Sequence, residues 1–270
     1  MPIEATPIAR HHALLGEFRR AFRAGPPETM LAIEGPRLIG EALRSGAKIE
    51  KVLFSHRGLE QHGPKLLPQL SKHATVSVAE EAAFAGAMDA EHPQGVAALV
   101  AFTPAPLEVA LGDRALLVAA AGLQDPGNLG TLVRAADAWG ATGIVGLQDT
   151  VNPFHAKAVR ASAGSLFHLP VIARLAPGDL IAACRERGVR MVAAAARGGV
   201  PPEAAGLDGP VCLLIGREAA GLPRELQRAA AVTVSLPMET RVESLNAAIA
   251  GAILLYEAAR QRGALSHGAV

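Results

Sequence analysis

The sequence predicts an α/β protein in two parts. Three observations carry that expectation. Short apolar runs alternate with helical patterns along most of the chain, which is the signature of sheet and helix layers. The alternation is interrupted at Phe102-Thr103-Pro104-Ala105-Pro106, where two prolines in three residues discourage both helix and sheet. And 270 residues, half of them apolar, suffice for two cores without disulfide staples. The expected division is therefore 1–105 and 106–270.

The first part opens with a helical pattern over residues 8–23. Leu14, Leu15, Phe18 and Phe22 share one face, while Arg10, Arg19, Arg20 and Arg23 lie elsewhere. Met30 to Ile33 reads as a short strand that stops at Glu34-Gly35-Pro36, and Leu38, Ile39 and Ala42 begin a helix that ends near Gly46. Further strands are expected at Val52–Phe54, Val76–Val78 and Val96–Phe102, with helices near 64–70 and 79–87. Together they make a small α/β domain.

The second part begins with an apolar strand, Ala115 to Ala121, which runs into a turn built from Asp125, Pro126 and Gly127. Asn128 sits where it could cap the following helix, and Arg134 lies about two turns into it, on the same face as Thr131. A second buried strand leads into Gly216-Arg217-Glu218-Ala219-Ala220-Gly221. The third segment, residues 235–249, is a strand, a polar loop, and then Ser244-Leu245-Asn246 at the start of the last helix. Ser244 is a natural N-cap there. The Asn246 amide, inside an otherwise apolar run, needs hydrogen-bond partners. That last helix is apolar around most of its circumference, so one face is expected on the sheet and the other against a second subunit. Strand and helix alternate throughout this part, which implies a mostly parallel sheet.

Composition narrows the function. The chain has 26 basic and 25 acidic side chains, net charge +1, so any nucleic-acid footprint must be a local patch. Aromatics make up 3%, which argues against base-stacking platforms for single strands. Cys184 and Cys212 are expected to be core fillers, and no Cys/His spacing suits a metal. The N-terminus lacks the pattern of a signal peptide, and no apolar run reaches the roughly 20 residues of a membrane helix. A reducing, cytoplasmic setting follows. No Gly-x-Gly-x-x-Gly turn is present, which removes the usual dinucleotide-binding reading.

The three segments of the second part, in their order, spacing and strand-loop-helix context, resemble the three motifs of the SpoU/TrmH family. These are RNA ribose 2′-O-methyltransferases of the SPOUT superfamily. Asn152-Pro153-Phe154 and the run Lys157 to Ser165 are similar to that family too. The resemblance spans about residues 113–262. Arg217 departs from it, since the family more often has Asn or another small polar residue there.

The resemblance implies a C-terminal trefoil knot holding S-adenosylmethionine through Gly216, Leu236 and Leu245. It also implies a site made of Asn128, Arg134, Glu218, Ser244 and Asn246, and a homodimer. In that site Arg134 activates the ribose 2′-hydroxyl. A guanidinium stays protonated at working pH, so its role is to stabilise developing alkoxide charge rather than to take the proton. Lys157 and Arg160 would contact phosphate. In the first part, Ile33 to Leu43 and His92-Pro93-Gln94-Gly95-Val96 resemble the RNA substrate-binding domain of ribosomal-RNA members. The implied substrate is thus ribosomal RNA. A tRNA methylase of the same fold, or a non-catalytic RNA-binding module on it, are the alternatives. Cutting the chain at 105 is expected to leave an intact catalytic core.

Overall fold

The computed structural model describes residues 5–24, 30–217, 221–239 and 243–264. They fall into two compact units. One comprises Met1–Thr103 with Phe154–Phe167, and the other Pro104–Pro153 with His168–Val270.

The first unit runs β1 (Thr6–Pro7), α1 (Ala13–Ala24), β2 (Met30–Glu34), α2 (Pro36–Arg44), β3 (Ile49–Ser55), α3 (His56–Leu66), β4 (Thr75–Ala79), α4 (Glu81–Ala85) and β5 (Val96–Ala101). Its sheet has the order β1-β4-β3-β5-β2. The first three strands are mutually parallel, and β5 pairs antiparallel with both β3 and β2. The amphipathic pattern of α1 holds: Leu14, Leu15, Phe18 and Phe22 are buried, while Arg19, Arg20 and Arg23 are exposed.

One helix of this unit lies earlier than its periodicity suggested. The expected helix near 64–70 is α3, beginning at His56, where the Ser55 hydroxyl accepts a hydrogen bond from the Gly58 N–H at 3.1 Å. Gly58, Gly63 and Pro64 disguise it, because all three are poor helix formers. Gly58 is there for packing: a Cβ at that position would sit 1.8 Å from the Gly95 carbonyl oxygen.

The second unit contains β6 (Leu116–Ala120), α5 (Pro126–Ala138) and β7 (Gly143–Leu147). The chain then enters the first unit with α6 (Ala156–Ser162) before returning through β8 (Val171–Leu175), α7 (Pro177–Glu186), β9 (Arg190–Ala194), β10 (Val211–Ile215), α8 (Arg224–Ala229), β11 (Val232–Val234) and α9 (Ala247–Gln261). The sheet order is β11-β9-β10-β6-β7-β8, and every pairing is parallel. Strands β6, β7 and β10 are buried from end to end, as expected when helices cover both faces of a parallel sheet. On one face α7 and α8 contribute Leu180, Cys184 and Leu226 to the core. On the other, α5 packs with α9, and Trp139 meets Tyr256 edge-on with ring centroids 5.1 Å apart. Gly251 permits that closeness, since a Cβ there would lie 2.5 Å from Leu132 Cδ1. Cys184 and Cys212 are free and buried.

The segment 154–167 departs from the expected division at 105 and 106. Its Ala156, Ala158, Val159 and Ser162 are buried within the first unit, and Ala156 joins the core of Phe18 and Phe84. The Phe154 and Phe102 rings meet edge-on at 4.6 Å. Small apolar side chains can cover either sheet, so composition alone does not tell which one they choose. No helix among the described residues is long and apolar enough to cross a membrane.

Candidate active site

The carboxyl ends of β9, β10 and β11 frame a cavity of about 440 Å3 in the second unit. Its walls include Ala193 to Ala196, Ile215, Gly216, Leu236, Met238, Ser244, Leu245 and Leu254. Gly216, Leu236 and Leu245, the three residues expected to hold a cofactor, therefore line one space, and Ser244 lines it with them. The loop after β10 closes on itself. The Arg217 N–H donates to the Gly221 carbonyl at 3.2 Å, and the Gly221 N–H donates back at 2.9 Å. A Cβ on Gly216 would fall 2.5 Å from the Gly221 carbonyl carbon, so only glycine lets the loop fold this tightly. Glu218 lies outside the described residues.

Helices α5 and α9 bring two further residues together. Asn246 is the N-cap of α9: its Oδ1 accepts from the Ala248 and Ile249 amides at 2.9 and 3.2 Å. Its Nδ2 donates to Asn128 Oδ1 at 3.0 Å. Thus the amide that needed partners has three, and one of them joins the first motif to the third across 118 residues. Two capping expectations are corrected. The cap of α5 is Asp125, whose carboxylate accepts from the Asn128 N–H at 2.9 Å, so Asn128 stands inside the first turn. The cap of α9 is Asn246 rather than Ser244, which leaves Ser244 facing the cavity.

Arg134 lies on the exposed face of α5 with Thr131 and is not among the residues lining the cavity. The expected phosphate contact Arg160 is instead paired with Asp89 at 3.0 Å in the first unit. The face of α9 expected to meet a second subunit is open in the single chain. Ile249, Ile253 and Tyr256 are 52%, 39% and 44% exposed.

Two residues behind the turn after β6 had no sequence signal. Thr150 donates to the Ala120 carbonyl at 2.7 Å and accepts from the Gly122 N–H at 2.9 Å. Gln124 donates to the carbonyls of Gly122 and Asp149 at 3.0 and 2.8 Å. Together they brace the turn after β6. Both are ordinary polar loop residues in sequence, and only the fold reveals the brace.

Among the described residues the first unit holds one buried carboxylate, Glu34, 6% exposed. Its Oε1 accepts from the Gln94 N–H at 3.3 Å, while Oε2 has no partner among the described residues. Burial pushes its pKa above the ordinary carboxylate value, offset in part by the Gln94 hydrogen bond and by Arg160.

The chain matches known proteins along both units. The sequence pattern of the SpoU rRNA Methylase family matches residues 115–256, and that of the MRM3-like substrate binding domain matches residues 26–98. The chain is similar to the 23S rRNA (guanosine(2553)-2′-O)-methyltransferase RlmP of Bacillus subtilis, 32% identical over 83% of this chain and 86% of that protein. It is 31% identical to the 23S rRNA (uridine(2479)-2′-O)-methyltransferase of Streptomyces viridochromogenes, covering 96% of this chain and 95% of that one. Among solved structures, the AdoMet-bound rRNA methyltransferase from Sinorhizobium meliloti aligns with a TM-score of 0.80 at 31% identity, over 95% of this chain and 98% of that one.

Proposed function

Because this chain belongs to the SpoU rRNA methylase family, we propose that it methylates a ribose 2′-hydroxyl of ribosomal RNA with S-adenosylmethionine as donor. The observation that carries the reading is the convergence of Gly216, Leu236, Ser244 and Leu245 on one cavity, beside the Asn128–Asn246 hydrogen bond. The residues present suit the cofactor. About 440 Å3 is within the range of small-molecule sites, the walls are largely apolar, and the Gly216 loop can fold tightly at the cavity wall because no Cβ meets the Gly221 backbone. When bound, the cofactor supplies an electrophilic methyl group on a sulfonium sulfur.

The chain's own residues do the rest. Gly216, Leu236 and Leu245 hold the adenosine end. Asn246 fixes Asn128, and the two amides shape the edge of the site toward α5. Arg134 stabilises negative charge developing on the attacking ribose oxygen through its N–H donors. Glu218 and Ser244 complete the site. The exposed arginines of α1 contact RNA phosphates, and recognition rests on RNA shape and splayed bases. By the same family resemblance the loops after β10 and β11 form a trefoil knot and the enzyme is a homodimer; the reducing setting read from composition places it in the cytoplasm. Ile249, Ile253 and Tyr256 recur at helical spacing on α9 and supply an apolar stripe for a second copy to cover.

The test is a map of 2′-O-methylated positions in RNA from cells with and without this protein, combined with methyl transfer by the purified chain. Loss of one ribosomal site in the cells, restored in vitro, is the expected result. Loss of a tRNA site instead would redirect the substrate assignment.

A further inference from the structure

Two described residues other than glycine have a left-handed backbone, Ala163 at φ +53° and Arg174 at φ +57°. Eleven glycines hold the remaining positive-φ positions among the described residues. Ala163 has a local reason: it is the C-cap of α6, and helices commonly end left-handed. Arg174 has no helix to end. It stands inside β8, an edge strand of the second unit's sheet. The register with β7 slips there, from Gly146 opposite Ala173 to Leu147 opposite Leu175, so Arg174 is the extra residue of a β-bulge. Glycine suits such a position, because a Cβ in this conformation crowds the following carbonyl oxygen. Arg174 is held there against its own backbone preference.

The bulge changes where side chains go. Ile172 and Leu175 both pack on the core that contains Leu180 and Cys184 of α7, although a regular strand would send residues three apart to opposite faces. Arg174, between them, is left exposed. Its guanidinium has no hydrogen bond or ion pair among the described residues. Its place is also informative. Arg174 lies at the carboxyl end of β8, and open parallel sheets bind ligands beyond the carboxyl ends of their strands. Two hydrogen bonds run from the bulge toward the first motif. The Gln148 N–H donates to the Leu175 carbonyl at 3.1 Å, and the Gln124 side chain donates to the Asp149 carbonyl at 2.8 Å. Gln124 immediately precedes Asp125, the cap that holds the Asn128 N–H.

We propose that Arg174 contacts a phosphate of the substrate RNA on the catalytic unit, and that the left-handed bulge aims it there. The proposal rests on the reading of this chain as an RNA methyltransferase. A guanidinium stays charged at working pH and takes two phosphate oxygens at once. With a net charge of +1, the chain must gather its RNA contacts in local patches. An arginine with no carboxylate partner, beside the loops of the site, is the group such a patch requires. Guarding the open edge of the sheet is the other role that a charged bulge can play. That role needs no phosphate and gives a different outcome below.

Arg174→Gly separates the two roles, since glycine relieves the backbone and removes the charge together. The full chain is titrated with 23S ribosomal RNA transcribed in vitro across a series of salt concentrations. Thermal unfolding and calorimetry with S-adenosylhomocysteine run alongside. RNA affinity should fall about 10-fold at low salt, the effect of one lost charge-assisted contact. The slope of log affinity against log salt should become shallower by about 0.7–0.9, one phosphate's worth. The unfolding midpoint should hold, or rise by up to about 4 °C, as the strain is released. S-adenosylhomocysteine affinity should not change. Arg174→Lys should recover most of the slope and part of the affinity. An unchanged salt slope would overturn the proposal. So would a lower midpoint or aggregation with RNA affinity intact, which would assign the arginine to the sheet edge. If the unaltered chain does not bind this RNA, the functional reading fails and the proposal with it; a variant that matches a binding parent removes Arg174 alone.

Discussion

The two units solve the same packing problem and place their polar groups in opposite ways. In the second unit β6, β7 and β10 are apolar throughout, and the polar side chains collect in the loops at their carboxyl ends. In the first unit a buried carboxylate, Glu34, ends the edge strand β2 and accepts from the Gln94 N–H, while the charged residues of α1 face outward. The difference teaches where chemistry can be altered cheaply. In the second unit the sheet is a platform and the loops can change without touching it. In the first unit the surface that would meet RNA is continuous with the core that supports it.

The strongest way to break the comparison is to separate the units. Deleting residues 1–103 leaves Ala156, Ala158 and Val159 without the core that buries them. The expected outcome is an aggregation-prone product, because this uncovers a contiguous apolar patch. Removing 154–167 as well, with a short Gly/Ser bridge, should restore a monodisperse, cofactor-binding core. Size-exclusion chromatography and calorimetry of the two truncations decide the matter. If the simple deletion behaves well, the allegiance of 154–167 to the first unit is energetically minor.

A smaller but sharper effect concerns the loops alone. Arg134→Ala should cut turnover on ribosomal RNA by about 100- to 1,000-fold, the usual cost of one lost charge-stabilising donor. S-adenosylhomocysteine affinity should hold, since Arg134 does not line the cavity. Turnover above a third of the starting value would remove Arg134 from the chemistry.

Much of this was legible in the sequence, and the rest was hidden for identifiable reasons. Apolar strands such as β6 and β10 announce themselves because burial on both faces demands unbroken hydrophobic runs. The cavity-lining trio of Gly216, Leu236 and Leu245 was readable through family motifs. The caps were misread by two or three residues, since Asp125 and Asn128, or Ser244 and Asn246, lie within one turn and both types cap well. The association of α6 with the first unit was illegible, because nothing local distinguishes which apolar core a short alanine-rich helix will join. The Asn128–Asn246 contact was equally invisible: Asn246 suggested a need for partners and Asn128 a cap, and only folding supplies the address.

That contact gives the next prediction. Asn246→Ala removes the α9 cap and the link to Asn128. Loss of a cap typically costs about 0.5–2 kcal/mol, readable as a lower urea midpoint. Asn246→Asp should keep the cap and lose the donor to Asn128, so it should restore most stability while methyl transfer stays impaired. Equal stability loss in both variants would mean the inter-helix bond, not the cap, is the stabilising element.

The smallest effect tests the buried carboxylate. Glu34 has a pKa raised by burial in the folded state, so the native chain holds its proton more tightly than the unfolded chain. Stability from this group is then present at acid pH and is lost as pH rises from the ordinary carboxylate value through the raised one. Glu34→Gln should flatten that slope. Urea unfolding at mildly acidic and mildly alkaline pH checks it, and an unchanged slope would show that Glu34 is not its source.

The chain crosses between the units three times, at 103/104, at 153/154 and at 167/168. During synthesis the first unit therefore emerges without α6, and the ribosome must deliver β6, α5 and β7 before its missing helix arrives. Domains usually mature from the N-terminus as independent pieces. Here the nascent substrate-binding unit must wait, with its α6 seat uncovered, for a segment encoded inside the catalytic half. An engineered chimera that exchanges only the N-terminal region would inherit a helix fitted to the wrong seat.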